Sequence, residues 1–169
     1  TGGRQLVLQF PDEWDFRYDP DNIGEGKGWQ NTQIDLKDWQ KVRTYSGTLS
    51  EQGIPEKLTW MWYRTTIKTP AELGKPLTLW FMELDGYETR VYANGKLIAE
   101  AERAGRKPLD LDVTGKLEPN KEYVIAVQTN HKKISELALG GILKPIMLFS
   151  GELPTLPPAP VDKKAGSKT

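Results

Sequence analysis

The sequence predicts an all-β fold, an antiparallel β-sandwich with two sheets closed around one core. Segments rich in aromatic and β-branched residues alternate with polar ones at a period of two, an Asn-Gly dipeptide joins two such segments, and helical periodicity is almost missing. Strands broken by turn chemistry, with no helices to make crossovers, leave two face-to-face sheets as the simplest way to bury the apolar sides. Taken in order, Asp35 to Val42 predicts a turn or two of helix capped by Asp35. Leu58 to Thr69 predicts a strand, and Leu77, Leu79 and Phe81 alternate with Thr78, Trp80 and Met82 in another, both able to be covered on two faces. Tyr87 to Ala93 and Lys96 to Ala101 form a hairpin, because Asn94-Gly95 supplies the two positive-φ residues of a type I′ turn. Asp110 and Asp112 share one face of a strand. Glu122 to Thr129 sets Tyr123, Ile125 and Val127 against polar or small neighbours, and Pro145 to Ser150 supplies a last apolar strand, both at or near the centre of a sheet. Ile134 to Leu139 predicts a second helical turn.

Composition narrows the function. A chain of 169 residues makes one ordinary domain, burying roughly 70% of the surface its unfolded form exposes. Lysine plus arginine balances aspartate plus glutamate at 23 each, so no long-range field draws the protein to nucleic acid or an anionic membrane. No apolar run is long enough to span a bilayer. Cysteine is absent, which removes disulfides, thiolate metal sites and cysteine nucleophiles together. The first residue is Thr1 rather than Met, from which removal of an export signal, and an extracellular or periplasmic location, are expected. Residues 1–152 read as the sandwich; 153–169, with Pro154, Pro157, Pro158, Pro160, Lys163, Lys164 and Lys168, read as a linker or tail.

Several motifs, in order, carry a resemblance. They are Trp14-Asp15-Phe16-Arg17 with Asp19-Pro20, Gly24, Gly28-Trp29 and Asp38-Trp39-Gln40-Lys41-Val42, then Trp62-Tyr63-Arg64 and Val91-Tyr92-Ala93-Asn94-Gly95-Lys96. Leu111-Asp112-Val113-Thr114 with Leu117, and Gly140-Gly141-Ile142 with Pro145, complete the set. Together they resemble the N-terminal sugar-binding domain of family 2 glycoside hydrolases, the group of β-galactosidases, β-glucuronidases and β-mannosidases. The resemblance implies a jelly roll of the galactose-binding-like type. It also implies partners: a neutral glycan, and a catalytic barrel on which that family carries its carboxylates. No cofactor is required, although a structural calcium ion held partly by backbone carbonyls suits such sandwiches. The pattern departs from the family's at Leu58-Thr59-Trp60-Met61, at Ala104-Gly105-Arg106, and at Lys144-Pro145.

Binding a neutral sugar requires flat apolar faces for the ring and polar groups for the hydroxyls. Trp14, Trp39, Trp62, Tyr63, Trp80 and Tyr92 occupy strand or family-core positions and are expected to pack inside. Trp29, Tyr45, Trp60 and Tyr87 lie in or beside predicted loops and are the candidate sugar platforms. Asn130 and His131, at the end of a strand, are candidate polar contacts, with an exposed surface histidine as the plainer reading of His131. Arg64 is expected in a buried salt bridge or a cation–π contact. Asp12, Glu13 and Asp15 read as a solvated run. Asp19, Asp21 and Gly24 hint at a calcium loop that lacks the oxygen ligands of an EF-hand. Gly24, Gly26 and Gly28 form a flexible turn rather than a phosphate loop, since no strand-to-helix context or lysine-serine pair accompanies them.

Glycoside cleavage needs two carboxyl groups about 5 to 9.5 Å apart. Asp110 and Asp112, about 7 Å apart on one face by strand geometry, are the pair that spacing permits. Three readings stay open: a non-catalytic carbohydrate-binding or accessory module, a structural or protein-interaction sandwich that has lost its sugar site, and an autonomous glycosidase.

Overall fold

The computed structural model describes residues 3–102, 108–132 and 140–152. The expectations for Ala104-Gly105-Arg106, for Ile134 to Leu139 and for the tail from Leu153 lie outside the described residues. Twelve strands are described: β1 (Gln5–Gln9), β2 (Glu13–Asp19), β3 (Gln40–Arg43), β4 (Trp60–Lys68), β5 (Leu77–Phe81), β6 (Leu84–Asp85), β7 (Glu88–Ala93), β8 (Lys96–Glu102), β9 (Leu109–Asp112), β10 (Glu122–Asn130), β11 (Gly141–Ile142) and β12 (Ile146–Ser150). A single 3-10 turn, Ser50–Gln52, is the only helix among the described residues.

The strands form a sandwich of two antiparallel sheets, as the alternation predicts. One sheet runs β1-β12-β5-β9, the other β3-β2-β4-β10-β7-β8, and β6 with β11 makes a small third pair. In β5 the residues Leu77, Leu79 and Phe81 face inward while Thr78 and Trp80 face outward, so it is covered on one face rather than two. Tyr123, Ile125 and Val127 of β10 meet Trp14, Phe16, Met61, Tyr63 and Leu148 in the main core between the sheets. Phe16 and Tyr63 pack edge-on with centroids 5.0 Å apart. The β7–β8 turn has Asn94 at φ 49° and Gly95 at φ 85°, both left-handed as a type I′ turn requires. Asn94 also ties this turn to β10, accepting from the Val124 N–H at 2.8 Å and donating to the Glu122 carbonyl at 3.2 Å.

The expected helix over Asp35 to Val42 is not formed. Asp35 does accept the Lys37 N–H at 2.9 Å, as a cap would, but the chain turns at Trp39 and enters β3, which pairs with β2. Ladder hydrogen bonds and the burial of Val42 at this sheet edge outweigh a helical turn too short to sustain itself.

The six-stranded sheet is covered on both faces. Its inner face meets the other sheet; over its outer face folds the segment 20–39, and between them lies a second cluster of Trp29, Trp62, Tyr92 and Ala126, flanked by Ile34 and Trp39. This explains why β4 reads as a nearly continuous apolar run from Met61 to Tyr63 instead of a clean alternation.

Candidate functional site

The covering segment is held by two buried charged groups. Asp19, at the end of β2, is 1% exposed and accepts three donors: the N–H groups of Ile23 and Gly24, each at 2.8 Å, and the Trp62 indole at 3.0 Å. Among the described residues Arg64 on β4 makes neither the salt bridge nor the ring contact expected of it. Its guanidinium donates to the carbonyls of Trp29 and Asn31, both at 2.6 Å, and of Thr32 at 3.3 Å, so a planar fork of donors anchors three carbonyls of one loop. Burial draws its pKa below the ordinary arginine value, against the opposing pull of Asp15. Among the described residues no three His, Cys, Asp or Glu side chains converge, and Asp19, the buried member of the hinted calcium loop, has its oxygens taken by N–H donors.

Trp29 is therefore a core residue and not an open platform. It is 7% exposed, edge-packed against Trp39 and Trp62, with the Arg17 guanidinium 4.3 Å from its ring centre. Tyr45 is half-buried, and its hydroxyl donates to the Phe10 carbonyl at 2.5 Å. Asp12 stands beneath it, accepting the N–H groups of Thr44 and Tyr45 and pairing with Arg43 at 2.8 Å, so the acidic run is partly structural. Trp80, expected inside, projects from the outer face of the four-stranded sheet, half-buried against Phe149 at 5.6 Å.

The other four predicted residues come together at one end of the six-stranded sheet. Trp60 opposes Asn130 across β4 and β10, the Tyr87 N–H donates to the Asn130 carbonyl at 2.8 Å, and His131 follows, its N–H donating to the Thr59 carbonyl at 3.1 Å. Trp60 and Tyr87 are half-buried; Asn130 is 3% and His131 2% exposed. The expectation of an exposed histidine fails because the chain folds back over it. Nε2 of His131 lies 3.6 Å from Oδ2 of Asp85, the same oxygen that accepts the Gly140 N–H at 3.0 Å. A Cβ on Gly140 would sit 2.7 Å from Nδ1 of His131, and one on Gly141 would land on the Tyr63 hydroxyl, which accepts the Ile142 N–H at 3.2 Å. The Gly140-Gly141 pair thus permits backbone to lie flat on an imidazole and a phenol. Nothing local in the sequence marks Asp85 or Tyr63 as partners of this turn, since 55 and 79 residues separate them from it.

A groove of about 460 Å³ begins beside this cluster, lined by Glu88, Thr89 and Arg90 of β7 and by Glu100, Ala101 and Glu102 of β8. Glu88 opposes Glu102 directly, a repulsive pair that Lys132 relieves by binding Glu88. Arg90 bridges Glu25 at 2.9 Å and Glu100 at 3.4 Å, and the Tyr92 hydroxyl also donates to Glu25 at 3.0 Å. Burial, reinforced by Glu25, pushes the Tyr92 phenol up to about 12.

Asp110 and Asp112 share the outward face of β9, as their spacing predicts, but each is engaged by a different partner. Both face solvent, Asp110 bound to Arg4 at 2.7 Å and Asp112 accepting the Thr114 hydroxyl at 2.6 Å and its N–H at 3.0 Å. The Thr114 hydroxyl, followed by its N–H, holds the Asp112 carboxyl below the ordinary aspartate value, the opposite of what a general acid needs.

Comparison with known proteins follows the fold. No protein-family profile matches the sequence, and no curated protein matches it. Solved structures of a β-glucuronidase from Ruminococcus gnavus do match: one, with a C6-substituted uronic isofagomine, superposes with a TM-score of 0.71 at 19% identity over 89% of this chain and 30% of that one. A second, with D-glucuronic acid, gives 0.71 at 20% identity, and a third gives 0.70 at 21% identity over 92% of this chain and 29% of that one. The likeness is one of fold. The chain spans about 30% of the length of the enzymes it matches, and the resemblance to the family 2 sugar-binding sandwich holds at that level. No helix among the described residues is long and apolar enough to cross a membrane.

Proposed function

We propose that this chain is a non-catalytic accessory module of the glycoside-hydrolase type, and that it binds carbohydrate at the end of the six-stranded sheet marked by Trp60 and Tyr87. The observation that carries the reading is the superposition of nearly the whole chain on less than a third of a β-glucuronidase. A fold shared with one part of a hydrolase, in a chain whose paired aspartates face solvent in separate contacts, is suited to holding or positioning a glycan while a separate barrel performs cleavage. Two half-exposed aromatic rings offer the apolar faces, and the adjoining groove, with Arg90 and three carboxylates, offers donors and acceptors to hydroxyls. Titration with a broad glycan panel, followed by tryptophan fluorescence and calorimetry, tests this. Saturable binding that Tyr87→Ala weakens by about tenfold or more, as expected for loss of a stacking face, supports it; silence across the panel refutes it.

A second reading, a sandwich that engages protein instead of sugar, is favoured by one observation. Of the six predicted contacts, Trp29, Asn130 and His131 are buried, whereas Trp80, Met147 and Phe149 form a half-buried apolar patch on the outer face of the four-stranded sheet. Substituting Trp80→Ser separates the two, since it leaves glycan binding unchanged and removes protein partners docked on that face.

A further inference from the structure

The turn between β7 and β8 is held from two sides. On one side the Asn94 side chain acts as a further peptide unit facing β10. Its Oδ1 accepts the Val124 N–H at 2.8 Å and its Nδ2 donates to the Glu122 carbonyl at 3.2 Å, while its own backbone N–H donates to the Val124 carbonyl at 2.9 Å. On the other side lies the covering segment 20–39. A Cβ placed on Gly95 would meet Oδ1 of Asn31 at 3.0 Å and the Gln30 carbonyl oxygen at 3.9 Å. The Asn31 carbonyl is in turn one of those that Arg64 grips, at 2.6 Å. Both residues of the turn are half-buried as a result.

The same dipeptide is chemically reactive. Asparagine followed by glycine is prone to cyclise, because a residue without a Cβ leaves its backbone nitrogen open to the preceding side chain. Asn94 is the one asparagine in the chain that precedes a glycine; Asn22, Asn31, Asn120 and Asn130 precede Ile23, Thr32, Lys121 and His131. In the reaction the Gly95 nitrogen bonds to Cγ of Asn94, the Cγ–Nδ2 bond breaks, and ammonia leaves with the proton that Gly95 gives up. Water then opens the imide at one of its two carbonyls, leaving either aspartate or an isoaspartate whose main chain is one carbon longer. In the folded chain this attack is blocked. Turning Cγ toward the Gly95 nitrogen breaks both hydrogen bonds to β10, and Asn31 stands over Gly95. Neither product fits the closed turn. Aspartate sets a carboxylate oxygen against the Glu122 carbonyl, and isoaspartate lengthens a two-residue turn whose length fixes the register of β7 on β8.

We propose that Asn94 is a self-modification site that the fold holds closed: it converts to isoaspartate or aspartate when the turn lifts off β10 and the covering segment, and the conversion then bars the hairpin from closing as before. A transient opening is thereby made permanent. The proposal is independent of the carbohydrate reading. Peptide mass spectrometry of the full chain, incubated at mildly alkaline pH in buffer and in urea, tests it. Conversion of the amide to an acid is expected at residue 94 ahead of the other asparagines in urea, and at least about tenfold more slowly in the folded chain. Asn31→Ala, which removes the side chain standing over Gly95, is expected to raise the folded-state rate about threefold or more while the rate in urea and the circular dichroism stay unchanged. Chain modified in urea and returned to buffer is expected to unfold at a lower urea concentration than unmodified chain. Equal rates in buffer and in urea, a folded-state rate that Asn31→Ala leaves unmoved, or modified chain that regains the parent unfolding midpoint overturns the proposal.

Discussion

Asp19 shows how one side chain can fix both a loop and a core tryptophan. Its carboxylate serves two backbone donors and the Trp62 indole, so Asp19→Ala strands three donors and is expected to cost about 3 kcal/mol in denaturant unfolding, whereas the exposed Asp21→Ala stays within about 0.5 kcal/mol. Equal losses at the two positions would contradict the assignment. Asp112 makes the matching point about charge. Its folded pKa lies below the unfolded value because Thr114 donates to the ionised form; its contribution to stability is therefore present above the unfolded pKa and lost as pH falls through the folded one. A carbon-detected NMR titration of Thr114→Val is expected to show the Asp112 midpoint moving up toward the ordinary aspartate value, and an unmoved midpoint would dissolve that account. Legibility in the sequence ended at this scale. Arg64, Trp29 and His131 could be picked out as unusual, but whether each is open or buried depends on the segment 20–39 folding across the sheet and on the return of Gly140 over β10, neither of which leaves a local periodicity.

Strands were legible because period-two alternation and turn chemistry are local properties. β4, β5, β7, β8, β10 and β12 fall where aromatic and β-branched runs place them, and Asn94-Gly95 sets the β7–β8 hairpin by φ alone. β3 was misread as helix because its pairing with β2 is a tertiary contact, and the short β6–β11 pair carries no pattern of its own. The Gly140-Gly141 turn, by contrast, was visible as a motif but not as a mechanism. Gly141 has φ 82° and rests on the Tyr63 hydroxyl, so Gly141→Ala is expected to destabilise by about 2 to 4 kcal/mol from backbone strain and overlap together. Removing the hydroxyl with Tyr63→Phe relieves part of that overlap. A double-mutant cycle followed by thermal unfolding is predicted to give a coupling above about 0.5 kcal/mol, and strict additivity would show that the phenol is not the obstacle.

At the scale of the whole molecule, two sheets and a covered outer face leave three distinct surfaces: the end that carries Trp60 and Tyr87, the outer face that carries Trp80 and Phe149, and the edge strands. The antiparallel sandwich could be foreseen because strands of period two broken by turn chemistry, without helical periodicity to supply crossovers, leave few other ways to bury this many aromatic residues. Its expected role, retention of a glycan without cleavage, makes opposite demands on binding and turnover, so both belong in one assay. The decisive measurement is calorimetric titration of the full chain with a panel of neutral and uronic-acid glycans, run beside a chromogenic glycoside assay on the same sample. The predicted result is saturable binding in the millimolar to micromolar range, lost in Trp60→Ala with the fold retained, and no release of chromophore. Turnover that disappears in Asp112→Asn, or no heat of binding with any glycan, would contradict it.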